Sequence, residues 1–400
     1  MTGTRAVDVL VVGAGPAGLA AAGRLAALGA GTVEVLEREP QGARPWADAV
    51  VRAVRAGAVR AGAVLRTGVT VTGWSGPLTL DTTSPAGRER VTARAVVLAT
   101  GARERPRSAR LVPGTRSAGV LTTGELLRSV YAYGQGVGTR AVVVGAEPVS
   151  WEAVRALRHA RVEVAAVVTE QAWRRPGALR GRVPVLGGTS VAELLGRGRL
   201  SGVRVRHRDG RVATVACDTV VFTGDWVPEH ETARLGGIVI DPGTRGPAVD
   251  GAFRTSVAGV FAVGDVLHGG EPAGTAVWEG RAVAGPVLAY LSGAVSWPVS
   301  SVPVVVAAPL RWTVPNRLVP DRLVPDRLVP DRLAAPGGRF LVRAARPLVG
   351  PVVVAVSQDG VLLHRQRVWR TVGPYRSMPL SGAWAARVAP DGGPVRIRVL

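Results

Sequence analysis

The stretch 7–38, VDVLVVGAGPAGLAAAGRLAALGAGTVEVLER, constrains this chain more than any other. The apolar run 9–12 has the length of a buried parallel strand. Gly13, Gly15 and Gly18 follow at once in the spacing G-x-G-x-x-G, with Pro16 and Ala17 between them. Residues 19–28 are rich in Ala and Leu and read as a helix. Residues 32–36 read as a second strand that ends on Glu37. Strand, glycine turn, helix, strand and terminal acid in this order make a βαβ unit of the size a dinucleotide requires. Gly13 permits the tight turn, Gly15 lets backbone approach a pyrophosphate, and Gly18 lets helix and strand pack closely. The first amides of the helix and its dipole favour phosphate charge. Glu37, followed by Arg38, is placed to accept hydrogen bonds from a ribose diol.

A chain of 400 residues has room for two or three domains with proper cores. The formal net charge is +21, but lysine is absent and the arginines are scattered through every segment. Ile and Asn are scarce as well, so GC-rich coding explains the composition, and no nucleic-acid partner is expected. The one cysteine, Cys217, lies in an apolar stretch and reads as a buried thiol; alone it forms neither an intramolecular disulfide nor a C-x-x-C pair. No apolar run reaches membrane-spanning length. The expectation is a soluble, cytoplasmic protein without a membrane span, and no metal site is expected.

Further along, VRAGA occurs twice, at 54–58 and 59–63, after a candidate helix at 46–55. Strands are expected at 65–74 and 78–82, with a return at 90–92, as an antiparallel meander. A buried strand at 95–99 leads into Thr100 and Gly101, where backbone passes close to a ligand. A helix is expected at 123–133. A second βαβ unit follows, with strand 141–144, turn Gly145, helix 148–159 and strand 162–168. Its turn reads G-A-E-P-V-S, so Glu147 stands at the second glycine position and Ser150 at the third. A carboxylate there repels a pyrophosphate and obstructs its approach, which disfavours NAD(P). The strand at 260–263 delivers Gly264 and Asp265 to its carboxyl end, where sheets of this kind bind ligands. A helix is expected at 274–291. From 314 to 333 a proline recurs every five residues, which no regular helix carries, so 300–338 reads as an extended linker. Short alternating strands and an Asp359-Gly360 turn signal make 339–400 a small β-module.

Three of these stretches, in this order, resemble the pyridine nucleotide-disulfide oxidoreductase type of flavoprotein, which has two dinucleotide-binding domains. They are GAGPAG with Glu37, VVLATGARERP at 96–106 and RTSVAGVFAVGD at 254–265. The resemblance implies an α/β fold with two Rossmann-like domains, the FAD domain discontinuous (1–110 and 220–295), an NAD(P)-binding-like domain (111–219) and the C-terminal β-module. It implies that Gly13, Gly15, Pro16, Ala17 and Gly18 hold the FAD pyrophosphate and that Glu37 and Arg38 lie at the adenosine ribose. Thr100, Gly101 and Gly264 would line the FAD crevice, and Asp265 would meet the ribityl chain. The segments GVLTTGELLRSVYAYG and AVVVGAEPVSWEAVRALRHA look like the branch of amino-acid and amine dehydrogenase subunits and hydrogen cyanide synthase subunits. Two departures stand out. The redox C-x-x-C is absent, and the segment after Pro40 is short, with Gly42 followed by Ala43 in place of a glycine pair.

The expected activity is that of an FAD-dependent oxidoreductase, a dehydrogenase moving a hydride from an amine or amino acid to flavin. The alternatives are an NAD(P)H-dependent flavin reductase and a flavin-binding subunit without turnover of its own. His268 is the candidate base, with His230 behind it. Electrons would leave to a partner subunit, a quinone or oxygen.

Overall fold

The computed structural model describes residues 3–40, 49–171, 183–319 and 338–400. The chain divides into two compact units, one of Met1–Ala102 with Pro228–Leu400 and one of Arg103–Val227.

In the first unit β1 (Gly3–Val12), α1 (Pro16–Ala27) and β2 (Val33–Glu37) form the expected βαβ unit. α2 (Ala49–Arg60) leads to β3 (Val64–Thr67), and β4 (Thr70–Gly76), β5 (Thr79–Ser84) and β6 (Gly87–Leu98) follow. The sheet runs β3-β2-β1-β6-β5-β4, and the strand Val260–Ala262 also pairs with β6. β6 works in two halves. Its first half pairs antiparallel with β5, and its last three residues pair parallel with Val260–Ala262. Four parallel strands therefore end along one edge: Val12 lies beside Leu36 and Leu98, and Leu98 beside Ala262. The core strands read as continuous apolar runs because helices or further chain bury both faces, and Val9, Leu10 and Val11 have no exposure.

The expected strand 65–74 is two strands. Gly68 adopts φ +72 and turns the chain between them. The expected helix 274–291 is also divided, into Ala273–Ala282 and Ala284–Leu291. Pro286 lacks the N–H that would continue the first helix, and its ring favours the first turn of a new one. The helix expected at 123–133 is α-helical only over Thr123–Leu127 and widens into a π-turn over Arg128–Ala132.

In the second unit a parallel sheet contains Arg140–Val144, flanked by Glu163–Thr169 and Thr219–Phe222. A three-stranded antiparallel sheet accompanies it. The unit claims more chain than expected at both ends. Arg105 donates to the Asp225 carboxylate at 3.1 Å, and Arg110 donates to the carbonyls of Thr223 (3.1 Å) and Gly224 (2.7 Å). These bonds tie 103–110 and 220–227 to the second sheet rather than the first.

The linker expected over 300–338 begins later. Val302–Val306, Leu310–Val314 and Arg317–Leu318 are strands of the β-module. Val302–Val306 pairs parallel with Val395–Val399, the last strand of the chain, and this pairing is invisible to local pattern. The rest of the proline repeat, 320–337, lies outside the described residues, as do Gly42 and Ala43. The module's two sheets share one core around Trp384 and Phe340, whose rings lie 4.7 Å apart. The same strand Leu310–Val314 buries Trp312 and Val314 in the core of the nucleotide-type sheet, so the module is continuous with the first unit.

Helix Ala273–Ala282 packs on α1 through Gly280, where an added Cβ would lie 2.1 Å from the Ala17 carbonyl oxygen. Replacing Gly280 with Val should therefore force the helices apart and cost about 1–3 kcal/mol or more. A lower urea midpoint for the folded protein checks this, and an unchanged midpoint refutes it.

Candidate functional site

The site is built at the carboxyl edge of the first sheet. Gly13 leaves β1 with φ +105, and a Cβ there would lie 2.3 Å from the Ala99 carbonyl oxygen, so only glycine makes this turn. Its N–H donates to the Leu36 carbonyl at 2.8 Å. Gly18 packs directly on the turn, where a Cβ would meet the Gly13 carbonyl oxygen at 2.0 Å. Gly15 precedes α1 in extended conformation, and nothing lies within 4 Å of where its side chain would be. No side chain caps the helix, no acid lies in its first turn, and Pro16 occupies its first position. The positive end of the helix dipole thus lies beside the open space at Gly15.

Glu37 closes the turn from the next strand. It is buried; one carboxylate oxygen accepts from the Ala14 N–H and the other from the Glu39 N–H, both at 2.9 Å. Gly264 and Asp265, some 250 residues away in sequence, arrive at the same place: a Cβ on Gly264 would touch the Ala17 Cβ at 2.6 Å. The distant aspartate turn and the opening glycine turn are therefore in contact. Ala99 and Val263 are held to the neighbouring strands by bonds to the Val12 and Leu98 carbonyls at 2.8 and 3.0 Å. Gly13, Gly15, Pro16, Thr100, Gly101 and Asp265 all keep partial exposure along this edge, as a ligand crevice needs.

Two expected contacts are engaged elsewhere. The Arg38 guanidinium forms a two-pronged pair with Glu229, which raises its pKa further through hydrogen bonding. The Thr100 hydroxyl donates to the Glu229 carbonyl at 2.6 Å, and the Glu229 N–H donates to the Gly101 carbonyl at 2.9 Å. Glu229 is the residue that sequence reasoning missed. No local motif marks it, and its partner Arg38 is 191 positions away.

The residues fit a flavin dinucleotide in three respects: a bare helix N-terminus, glycines that admit backbone contact, and acids at the ends of two strands. The second glycine turn does not fit in the same way. Glu147 has the same extended backbone before its helix as Gly15 has before α1. Its carboxylate folds inward, 3.0 Å from both the Ser150 and Thr223 hydroxyls. Burial pushes this carboxyl above the usual carboxylate range, and hydrogen bonds and Arg110 only partly oppose that.

Residues 7–280 match the family model for pyridine nucleotide-disulphide oxidoreductase. The chain belongs to that family.

This flavoprotein family is one of FAD-dependent oxidoreductases, with NAD(P) involved in relatives. The C-terminal module lies beyond the matched residues. Among solved structures, T. acidophilum thioredoxin reductase has 23% identity and a TM-score of 0.56, over 73% of this chain and 100% of that one. The Bacillus cereus bacillithiol disulfide reductase has 19% identity and a TM-score of 0.55, over 72% and 100%. L-Proline dehydrogenase from P. horikoshii has 16% identity and a TM-score of 0.54, over 73% of this chain and 57% of that one. At these identities the likeness is one of fold. Among curated proteins none matches the chain significantly.

His268, the expected base in this oxidoreductase, is instead fully buried. Its Nε2 lies 2.6 Å from Glu279, and its ring stacks on Trp312 at 5.7 Å between centroids. With no exposed surface it reaches neither solvent nor the crevice, and its place is in the scaffold behind Asp265. His230 meets the Arg245 carbonyl through Nδ1. Among the described residues no group of His, Cys, Asp or Glu is arranged to hold a metal ion, and no helix is long and apolar enough to cross a membrane.

Burial alone would lower the His268 pKa, but the charge and hydrogen bond of Glu279, aided by Asp265 and Glu271, raise it to about 9. A raised histidine pKa stabilises the fold fully below its unfolded value of about 6.5, and that stability is lost as pH rises through the folded value. The unfolding midpoint of the wild type should therefore fall between pH 6.5 and 9. Glu279→Gln should flatten that decline. A decline of the same size in the variant would show that this pair does not cause it.

Proposed function

We propose that the protein is a dehydrogenase that takes a hydride from an amine or amino acid onto bound FAD. The observation that carries this reading is the chain's single cysteine, Cys217, which is buried and whose thiol is pushed up to about 11, first by burial. One inert thiol supports no dithiol relay of the kind a disulfide reductase needs. An organic donor suits a flavin site that lacks that relay, and the fold likeness to L-proline dehydrogenase is consistent with it.

Within this reading the bound flavin supplies the hydride acceptor. The chain supplies binding and orientation. The amides at the start of α1 hold the pyrophosphate, and Glu37 accepts from the ribose while also clamping the Ala14 amide. Asp265, next to Gly264 at the end of its strand, would accept from the ribityl chain. The donor must arrive as the free amine, so the reaction needs no buried base and His268 is free to serve as scaffold. A partner subunit or a quinone takes the electrons onward, and small molecules are the substrates. Cytoplasmic location is part of the same proposal.

An anaerobic visible spectrum of the purified protein tests this directly. The expected result is a flavin spectrum that bleaches on titration with members of a panel of amines and amino acids. Colourless protein that refuses added FAD would refute the cofactor assignment. Flavin that no amine bleaches would refute the substrate class alone and favour a subunit without turnover.

Asp265→Ala should weaken FAD retention by about tenfold to a hundredfold, the effect of losing one hydrogen bond to a charged group. Dialysis followed by the ratio of flavin to protein absorbance measures it. Unchanged retention would remove Asp265 from the site.

A further inference from the structure

We propose that the Glu147 carboxylate occupies the phosphate seat of the second glycine turn, so that this unit binds no nicotinamide dinucleotide and NAD(P)H cannot serve as electron donor. The inference concerns the second unit alone and stands whichever organic substrate the flavin accepts.

The two turns share a frame. Gly145 leaves its strand with φ +131, as Gly13 does with φ +105. Gly145 N–H donates to the Val168 carbonyl and Gly13 N–H to the Leu36 carbonyl, each at 2.8 Å. The residue before each helix is extended, Gly15 at φ −70, ψ 178 and Glu147 at φ −75, ψ 168. Both helices carry proline in the first turn and span 12 residues. The backbone is thus that of a nucleotide site in both units, and the difference lies in the side chains.

In the first turn the space at Gly15 is open. In the second, the Glu147 side chain folds back over the turn. A Cβ on Gly145 would lie 2.5 Å from its Oε2, and a Cβ on Gly224 would lie 2.2 Å from its Oε1. The carboxylate lies against both glycines, Gly145 and Gly224, within the turn. Ser150 is fully buried, and its hydroxyl lies 3.0 Å from the carboxylate and 2.6 Å from the Thr223 hydroxyl. Arg110 is a cation near the turn among the described residues, and it is already committed. It bonds the Arg105, Thr223 and Gly224 carbonyls and lies over the Phe222 ring at 5.4 Å. Glu104, Glu147 and Asp225 all act on it electrostatically. An entering pyrophosphate would meet a filled seat and a like charge.

The test titrates NADPH and NADH into the purified full-length protein and reads binding by calorimetry, which needs no flavin reduction. Wild type, Glu147→Gly and Glu147→Gln are compared. The wild type should show no binding up to millimolar cofactor. Glu147→Gly recreates the open seat and should gain at least about a hundredfold in affinity, given what like-charge contact costs. Inorganic pyrophosphate should compete with that binding. Glu147→Gln keeps the shape and hydrogen bonds without the charge, so it should gain less but measurably. It also serves if the glycine variant fails to fold. Micromolar binding of either nucleotide by the wild type would overturn the proposal. So would the absence of any gain in folded variants. Either result leaves the amine reading untouched, because that reading is tested by bleaching with amines.

Discussion

The Glu279 carboxylate sits almost wholly buried between two donors, the Gly264 N–H at 2.8 Å and His268 Nε2 at 2.6 Å. A buried carboxylate is costly unless paired, and breaking such a pair costs about 3–5 kcal/mol because the survivor is left charged and dry. Here both oxygens are used, and the acceptor fixes the backbone of the turn that presents Asp265. The arrangement continues outward. His268 stacks on Trp312, the Arg343 guanidinium lies 4.8 Å over the same ring, and Arg343 donates to the Gly269 carbonyl at 2.9 Å and pairs with Glu271. Alternating cation and aromatic faces are favourable when desolvated. Residues on one helix, two strands and one loop thus converge behind one glycine, and the ligand edge of the sheet inherits its rigidity from them.

This chain also explains why the C-terminal module is more than an appendage. Trp312 and Arg343 come from its strands, while His268 and Glu271 belong to the nucleotide-type sheet's own loop. Asn316 fastens the same border, accepting from the Val249 N–H at 2.8 Å and donating its own N–H to the Val249 carbonyl at 3.1 Å. The family match ends at residue 280, so Trp312, Asn316 and Arg343 lie beyond the matched residues. They support the loop after Asp265 from the side away from the glycine turn. A module that only covered the surface would not need a buried arginine and a buried tryptophan at its border.

The parts legible in the sequence are those whose physics is local. Gly13, Gly15, Gly18 and Glu37 declared a βαβ site because strand, turn, helix and acid fall within about thirty residues in the order such a site requires. Glu147 declared an altered second turn for the same reason. Asp265 was legible only together with the N-terminal unit, since an acid after a short apolar strand is common. What could not be read was every pairing across sequence distance. The bond from Arg38 to Glu229 spans 191 positions, and it turns an apparent ligand contact into an internal clamp. His268 was a candidate base because it follows Asp265 by three residues, whereas Glu279 lies 11 residues on and draws it inside. The strand at Val302–Val306 hid within an expected linker because its partner is the chain's last strand.

The two glycine turns bear most directly on function. Backbone conformation, the first glycine and helix length agree between them, so shared folding demands account for what is common. The side chain at one position does not follow from folding. Gly15 leaves an open space before α1, where the helix dipole and the first amides favour an anion. Glu147 fills the corresponding space from within, and burial of that carboxylate, held above the usual carboxylate range, is itself a cost to the fold. Two equivalent turns therefore satisfy the same electrostatic need in opposite ways. One waits for a ligand's charge, and the other has closed around its own.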